Sequence, residues 1–126
     1  MGTSLRFLAL LITLVPGSPL MAGLDADVVP ILNQRCVMCH LPGAAQAGLD
    51  LYTNPWVSLV NANSTQSEKL LVAPGKPEQS YLYLKLTGQQ VEAGGQGAQM
   101  PFQQGSLSEP ELEAIRNWIT QGARDD

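Results

Sequence analysis

Cys36-Val37-Met38-Cys39-His40 gathers the chain's only two cysteines and its only histidine into five residues. Two thiols three positions apart, on a tight turn at a helix end, can each form a thioether with one vinyl group of the same porphyrin. The adjacent imidazole is then placed beneath the iron as proximal ligand. C-x-x-C-H is accordingly the pattern of c-type haem attachment. Other chemistries suit these residues less well. A dithiol redox centre also uses C-x-x-C, but no β-rich segment precedes Cys36 to build its βαβ setting. A cystine between Cys36 and Cys39 would close a very short loop and stabilise little. A structural zinc site needs four ligands, and only three thiol or imidazole groups exist.

A haem iron held by His40 needs a second axial ligand or keeps an open site. With one histidine, bis-histidine ligation within the chain is impossible. Once a leader is removed, Met38 and Met100 are the remaining thioethers. Met38 lies inside the attachment loop, on the proximal side. Met100 lies sixty residues beyond His40, in Gln99-Met100-Pro101-Phe102. A loop methionine followed by proline can be held rigidly enough to present its sulfur, although methionine is also a common gap filler in cores. Lys69, Lys76 and Lys85 are weaker candidates, because an amine must lose its proton before it can ligate. The expected set is Cys36 and Cys39 as covalent anchors with His40 and Met100 as axial ligands of one haem c.

The rest of the sequence must position these groups. Arg6 precedes an apolar run, Phe7 to Val15, followed by Pro16-Gly17-Ser18-Pro19 and small residues at Ala22, Gly23 and Ala26. This is the layout of a secretory signal peptide, expected over residues 1–24 with a cut between 20 and 26. The unbroken run is too short for the ~20 residues of a spanning helix, so no membrane span is expected after leader removal. Residues 25–126 form one domain, expected in the periplasm or otherwise exported. Losing Arg6 leaves six basic residues against eleven acidic ones. Such a balance excludes a general nucleic-acid binder, which needs clustered positive charge. Two cysteines exclude a multi-disulfide scaffold. A domain of this size commonly needs a staple, whether disulfide, metal or cofactor.

The element pattern is all-α. Asp27 is expected to N-cap a helix over residues 28–35, with Pro30 in its first turn and Val28, Ile31 and Leu32 as its apolar stripe. Gly48-Leu49-Asp50-Leu51 reads as a turn or short extended piece that brings Leu49 and Leu51 to the haem. Residues 61–69 read as loop. Pro77 to Leu86 reads as a helix stopped by Gly88. Gly94-Gly95-Gln96-Gly97 is a loop that lets the chain turn across the open haem face before Met100. Ser108-Glu109-Pro110-Glu111 is a capping box. It opens a last helix with Leu112, Ile115, Trp118 and Ile119 inward and Gly122 at its end.

These stretches together resemble a class I cytochrome c, and most closely the planctomycete-type cytochrome c domain. The likeness runs over residues 27–123. It is carried by Val29-Pro30-Ile31-Leu32 before Cys36, Gly48 to Leu51, Pro74-Gly75-Lys76-Pro77-Glu78-Gln79-Ser80-Tyr81-Leu82, Met100-Pro101, and Leu107-Ser108 with Ile115 to Ala123. The resemblance implies three to five helices around one covalently bound haem, His40 and Met100 on the iron, and a periplasmic electron carrier. Two departures stand out. Leu41-Pro42-Gly43 follows the histidine, where many class I cytochromes have glycine at once. The Gly-Pro-x-Leu stretch, whose proline carbonyl often receives the imidazole N–H, is absent, which leaves the acceptor for His40 unassigned.

The function expected from this reading is one-electron transfer between periplasmic redox partners, with no substrate bond broken and hence no enzyme activity. The acidic surface suits partners with a basic docking patch. The alternative is a gas-binding or peroxidase-like haem c protein in which Met100 does not ligate and the sixth site is open.

Overall fold

The computed structural model of the chain describes Gly17 and residues 20–126. Most of the expected leader lies outside these residues. Among the described residues the protein is helical and forms no strand. The only β-type pairings among these residues are two isolated bridges, Val60 with Val72 and Asn63 with Leu70.

The first helical segment starts earlier than the capping pattern predicts. A π-turn over Leu24–Val28 runs directly into helix α1, Val29–Arg35. Asp27 therefore does not cap α1. It sits within the π-turn, and its carboxylate accepts from the Gly23 N–H at 2.8 Å, closing the first turn from inside. Pro30 falls in the first turn of α1, where its missing N–H has no partner to lose. Val28 and Leu32 are fully buried and Ile31 nearly so, which is the expected apolar stripe. α1 ends at Cys36, and the C-x-x-C-H turn folds back through Cys39 N–H and His40 N–H, both donating to Cys36 O.

Helix α2, Pro55–Leu59, is capped by Asn54, whose side chain accepts from Val57 N. The expected helix over Pro77 to Leu86 is two pieces. A 3-10 turn, Pro77–Gln79, is separated from helix α3, Tyr81–Leu86, by Ser80 in extended backbone. The buried Ser80 hydroxyl donates to Lys76 O and accepts from Ala73 N. Those local bonds compete with helix continuation, so the break is held by side-chain chemistry. Gly88, with φ 78°, follows α3 as expected.

Helix α4, Glu109–Thr120, carries the capping box in full: Ser108 accepts from Glu111 N, and Glu111 accepts from Ser108 N. Its inward face meets the π-turn and α3. Ile115, Trp118 and Ile119 join Leu24, Val28, Leu32, Leu82 and Leu86 in one core. Each such aliphatic side chain stabilises the fold by about 1.5–3 kcal/mol on burial. The indole N–H of Trp118 is satisfied by Arg124 O at 2.9 Å, and that of Trp56 by Ala123 O at 2.8 Å. Both bonds pin the chain just after α4 onto the core.

Candidate functional site

One cavity of about 670 Å³ opens between the C-x-x-C-H turn, the Leu49–Leu51 segment, α3 and the loop around Met100. Its volume falls in the range of small-molecule and cofactor sites. Cys36, Cys39, His40 and Met100 all line it. The four residues singled out by type and spacing are therefore brought to one space, although sixty residues separate His40 from Met100. Leu49 and Leu51 line it too, as expected, with Leu71, Leu82 and Leu86 adding apolar wall. Trp118 does not reach the cavity and is wholly a core residue.

His40 is oriented by the main chain. Its Nδ1 lies 3.1 Å from the Leu49 carbonyl oxygen. A carbonyl only accepts, so Nδ1 carries a proton, and in the neutral ring Nε2 keeps the lone pair. That is the tautomer a metal-binding imidazole needs, with its other nitrogen donating to a backbone carbonyl. The acceptor left unassigned by the sequence is therefore Leu49 O. The segment that carries it is itself fixed. Leu51 N donates to His40 O at 2.9 Å, and the Asp50 carboxylate accepts from Tyr52 N and Thr53 N. These bonds hold the Asp50 carboxyl below its ordinary range, the Thr53 contacts most strongly.

The Met100 loop is anchored at several points. Met100 N donates to Lys85 O at 3.0 Å, and Gln99 Nε2 to Leu86 O at 2.8 Å, both on α3. The Met100–Pro101 peptide is cis. Beyond it, Arg35 Nη2 donates to Gly105 O at 3.2 Å while Nη1 pairs with Glu111 at 2.9 Å. One guanidinium at the end of α1 thus joins α4 to the loop that follows Met100. Upstream, Gly95 is required by close approach. A Cβ there would stand 2.4 Å from the Tyr81 ring and hydroxyl.

The two thiols are unpaired, Cys36 half-buried and Cys39 exposed. Burial pushes the Cys36 thiol up to about 11, with the neighbouring Arg35 guanidinium pulling the other way. The attacking thiol of a redox dithiol has a lowered pKa, a role that Cys36 does not fit. Among the described residues no three His, Cys, Asp or Glu side chains are grouped as a metal ion would require. The unpaired thiols, the Nε2 lone pair, the thioether and the apolar walls all fit the donor set of a haem c.

Of the three lysines weighed as ligands, Lys69 and Lys76 do not line the cavity and Lys85 does. Lys85 is 8% exposed, and burial lowers its pKa. Its ammonium donates to Gln66 Oε1 at 2.8 Å and to Gln96 O at 2.6 Å. Gln66 is a polar cavity residue that the sequence reading did not single out, and Lys85 entered that reading only as a weaker iron ligand. The only sequence signal was a lysine on the inward face of a helix whose other inward residues are Tyr81 and leucines. No helix among the described residues is long and apolar enough to cross a membrane. No family model, curated protein or solved structure matches this chain.

Proposed function

We propose that the protein is a monohaem c-type cytochrome that carries single electrons between exported redox partners. The observation that supports this most is the convergence of Cys36, Cys39, His40 and Met100 on one apolar cavity, with the His40 Nδ1–H engaged by Leu49 O. Haem iron, when bound, supplies a ferric/ferrous couple. Cys36 and Cys39 would hold the macrocycle by thioethers. His40 presents Nε2 from a ring whose rotation Leu49 O restrains. Met100 offers a thioether from a loop tied to α3. Thioether and imidazole donors together would raise the potential relative to harder ligand pairs. The leucines around the cavity would lower the polarity next to the iron, which favours the less charged ferrous state.

The test is expression with c-type maturation machinery, followed by haem staining after denaturing electrophoresis and a reduced-minus-oxidised spectrum. The expected wild type stains for covalent haem and shows a low-spin spectrum with the weak red ferric band of iron–thioether ligation. Met100→Ala keeps the stain and loses that band. A high-spin wild type that shifts with carbon monoxide would instead support the gas-binding or peroxidase-like reading. A colourless exported protein would end the proposal.

A further inference from the structure

Besides the thiols and the Tyr81 phenol, four charged or ionisable side chains line the cavity: Arg35, His40, Asp50 and Lys85. Three are engaged. Arg35 pairs with Glu111, His40 with Leu49 O, and Asp50 with two backbone N–H groups. Lys85 differs. It is nine-tenths buried, yet no carboxylate among the described residues lies within ion-pair distance of its ammonium. Its two acceptors, Gln66 Oε1 and Gln96 O, are neutral, and an ammonium has three protons to donate. The ring of Tyr81 faces it at 5.8 Å, a further neutral contact.

A buried charge is costly unless it is paired. The neutral partners have a consistent arrangement. Tyr81 Oη donates to the same Gln66 Oε1 that receives Lys85, at 3.1 Å. Gly97 lies so close that an added Cβ would stand 3.2 Å from Nζ. The cluster holds the ammonium in place at the cavity wall and leaves its charge uncompensated. An anion that enters the cavity would supply the missing counter-charge. The porphyrin of the proposed function carries two propionate carboxylates, on the edge opposite the vinyl groups that Cys36 and Cys39 would consume.

We infer that Lys85 receives a propionate carboxylate of the bound haem, with Gln66 and Gln96 O orienting its ammonium. This rests on the haem reading above. Lys85 is then a positioning residue that sets the ionisation of that propionate, and through it the pH dependence of the iron potential.

The experiment uses haem-loaded wild type with Lys85→Met, Lys85→Arg and Lys76→Met, an exposed lysine away from the cavity. Covalent haem content is measured first, then midpoint potential against pH. Loss of a neighbouring cation raises a carboxyl pKa by about one pH unit or more. The propionate-linked bend of the Lys85→Met profile therefore moves upward by that amount, and its potential falls, because a nearby cation disfavours the ferric state. Lys85→Arg and Lys76→Met stay on the wild-type profile. A haem-loaded Lys85→Met protein with an unmoved profile overturns this inference and leaves the haem reading intact. A wild type that takes up no haem removes both. Should Lys85→Met fail to mature, the ferrous wild type still answers. A nuclear Overhauser contact between the Lys85 Cε protons and a propionate methylene is expected, and its absence overturns the assignment.

Discussion

The Nδ1 of His40 is held 3.1 Å from the carbonyl oxygen of Leu49, nine residues further along the chain. The link is to main chain, so no side-chain substitution at Leu49 can delete it. What can displace it is the backbone just before. Gly48 has φ 71°, a conformation that costs an L-residue roughly 1–2 kcal/mol. An added Cβ at Gly48 would meet nothing within 4 Å, so the strain there is purely conformational.

Gly48→Ala therefore separates orientation from packing. It is expected to lower stability by about 1 kcal/mol. Under the proposed haem function it is also expected to raise the midpoint potential, because a weaker N–H···O bond would make the imidazole a poorer donor to ferric iron. Thermal unfolding and potentiometry of the haem-loaded variant check both. A destabilised protein with an unchanged potential would show that Leu49 O does not tune the ligand.

Gly94 and Gly95 make opposite demands. Gly94 has φ 80° with open space around it, whereas Gly95 lies against the Tyr81 ring at 2.4 Å from a notional Cβ. Overpacking against a ring is expected to cost about 1–3 kcal/mol. Gly95→Ala should thus be relieved by Tyr81→Ala, and Gly94→Ala should not. A double-mutant cycle on unfolding midpoints measures the difference. Equal and additive effects at the two glycines would refute the close contact.

The parts of the site that were legible in the sequence are those with residue-type signals. Cys36, Cys39, His40 and Met100 are scarce residues with rigid chemical uses, and their convergence needs no knowledge of the loops between them. The α4 capping box and the Ile115–Trp118–Ile119 stripe are local patterns that tertiary packing reinforces. The Leu49 carbonyl was not legible, because every residue carries one. The start of the first helix was misread because Asp27 is a strong capping type, but here it bonds back to Gly23 from within a wider turn. The break at Ser80 was hidden because a serine hydroxyl competing for Lys76 O and Ala73 N leaves no periodic trace.

Glu111 closes two contacts with one carboxylate. It accepts from Ser108 N at 2.8 Å and from Arg35 Nη1 at 2.9 Å. The Ser108 backbone N–H is the main reason its pKa lies below the ordinary carboxyl value, with the Arg35 charge adding to it. A carboxyl whose folded pKa is depressed stabilises the fold above its unfolded value, about 4.3, and loses that contribution as pH falls through the folded one. Glu111→Gln is expected to cost about 1 kcal/mol at neutral pH. The gap to wild type should close at more acidic pH, as the wild-type carboxyl takes up its proton. Urea midpoints at pH 7 and at about pH 3 decide it, and a gap of constant size would exclude an ionic origin.

The packing at the N-terminal edge predicts where an exported form can begin. Leu24 is 2% exposed and belongs to the core with Trp118 and Ile119. Ala22 N donates to the Gln121 side chain, and Asp25 N to Asp126 O at 3.2 Å. Truncating a buried leucine to alanine costs about 2–5 kcal/mol, and removing it whole should cost no less. A chain starting at Gly23 is therefore expected to be more stable than one starting at Asp25 by at least that order. If the protein is exported as proposed, N-terminal sequencing should find its first residue at Leu24 or earlier, which moves the cut upstream of the 24/25 boundary expected from the sequence. A mature protein that begins at Asp25 or later and unfolds at the same midpoint would show that Leu24 contributes nothing to the core.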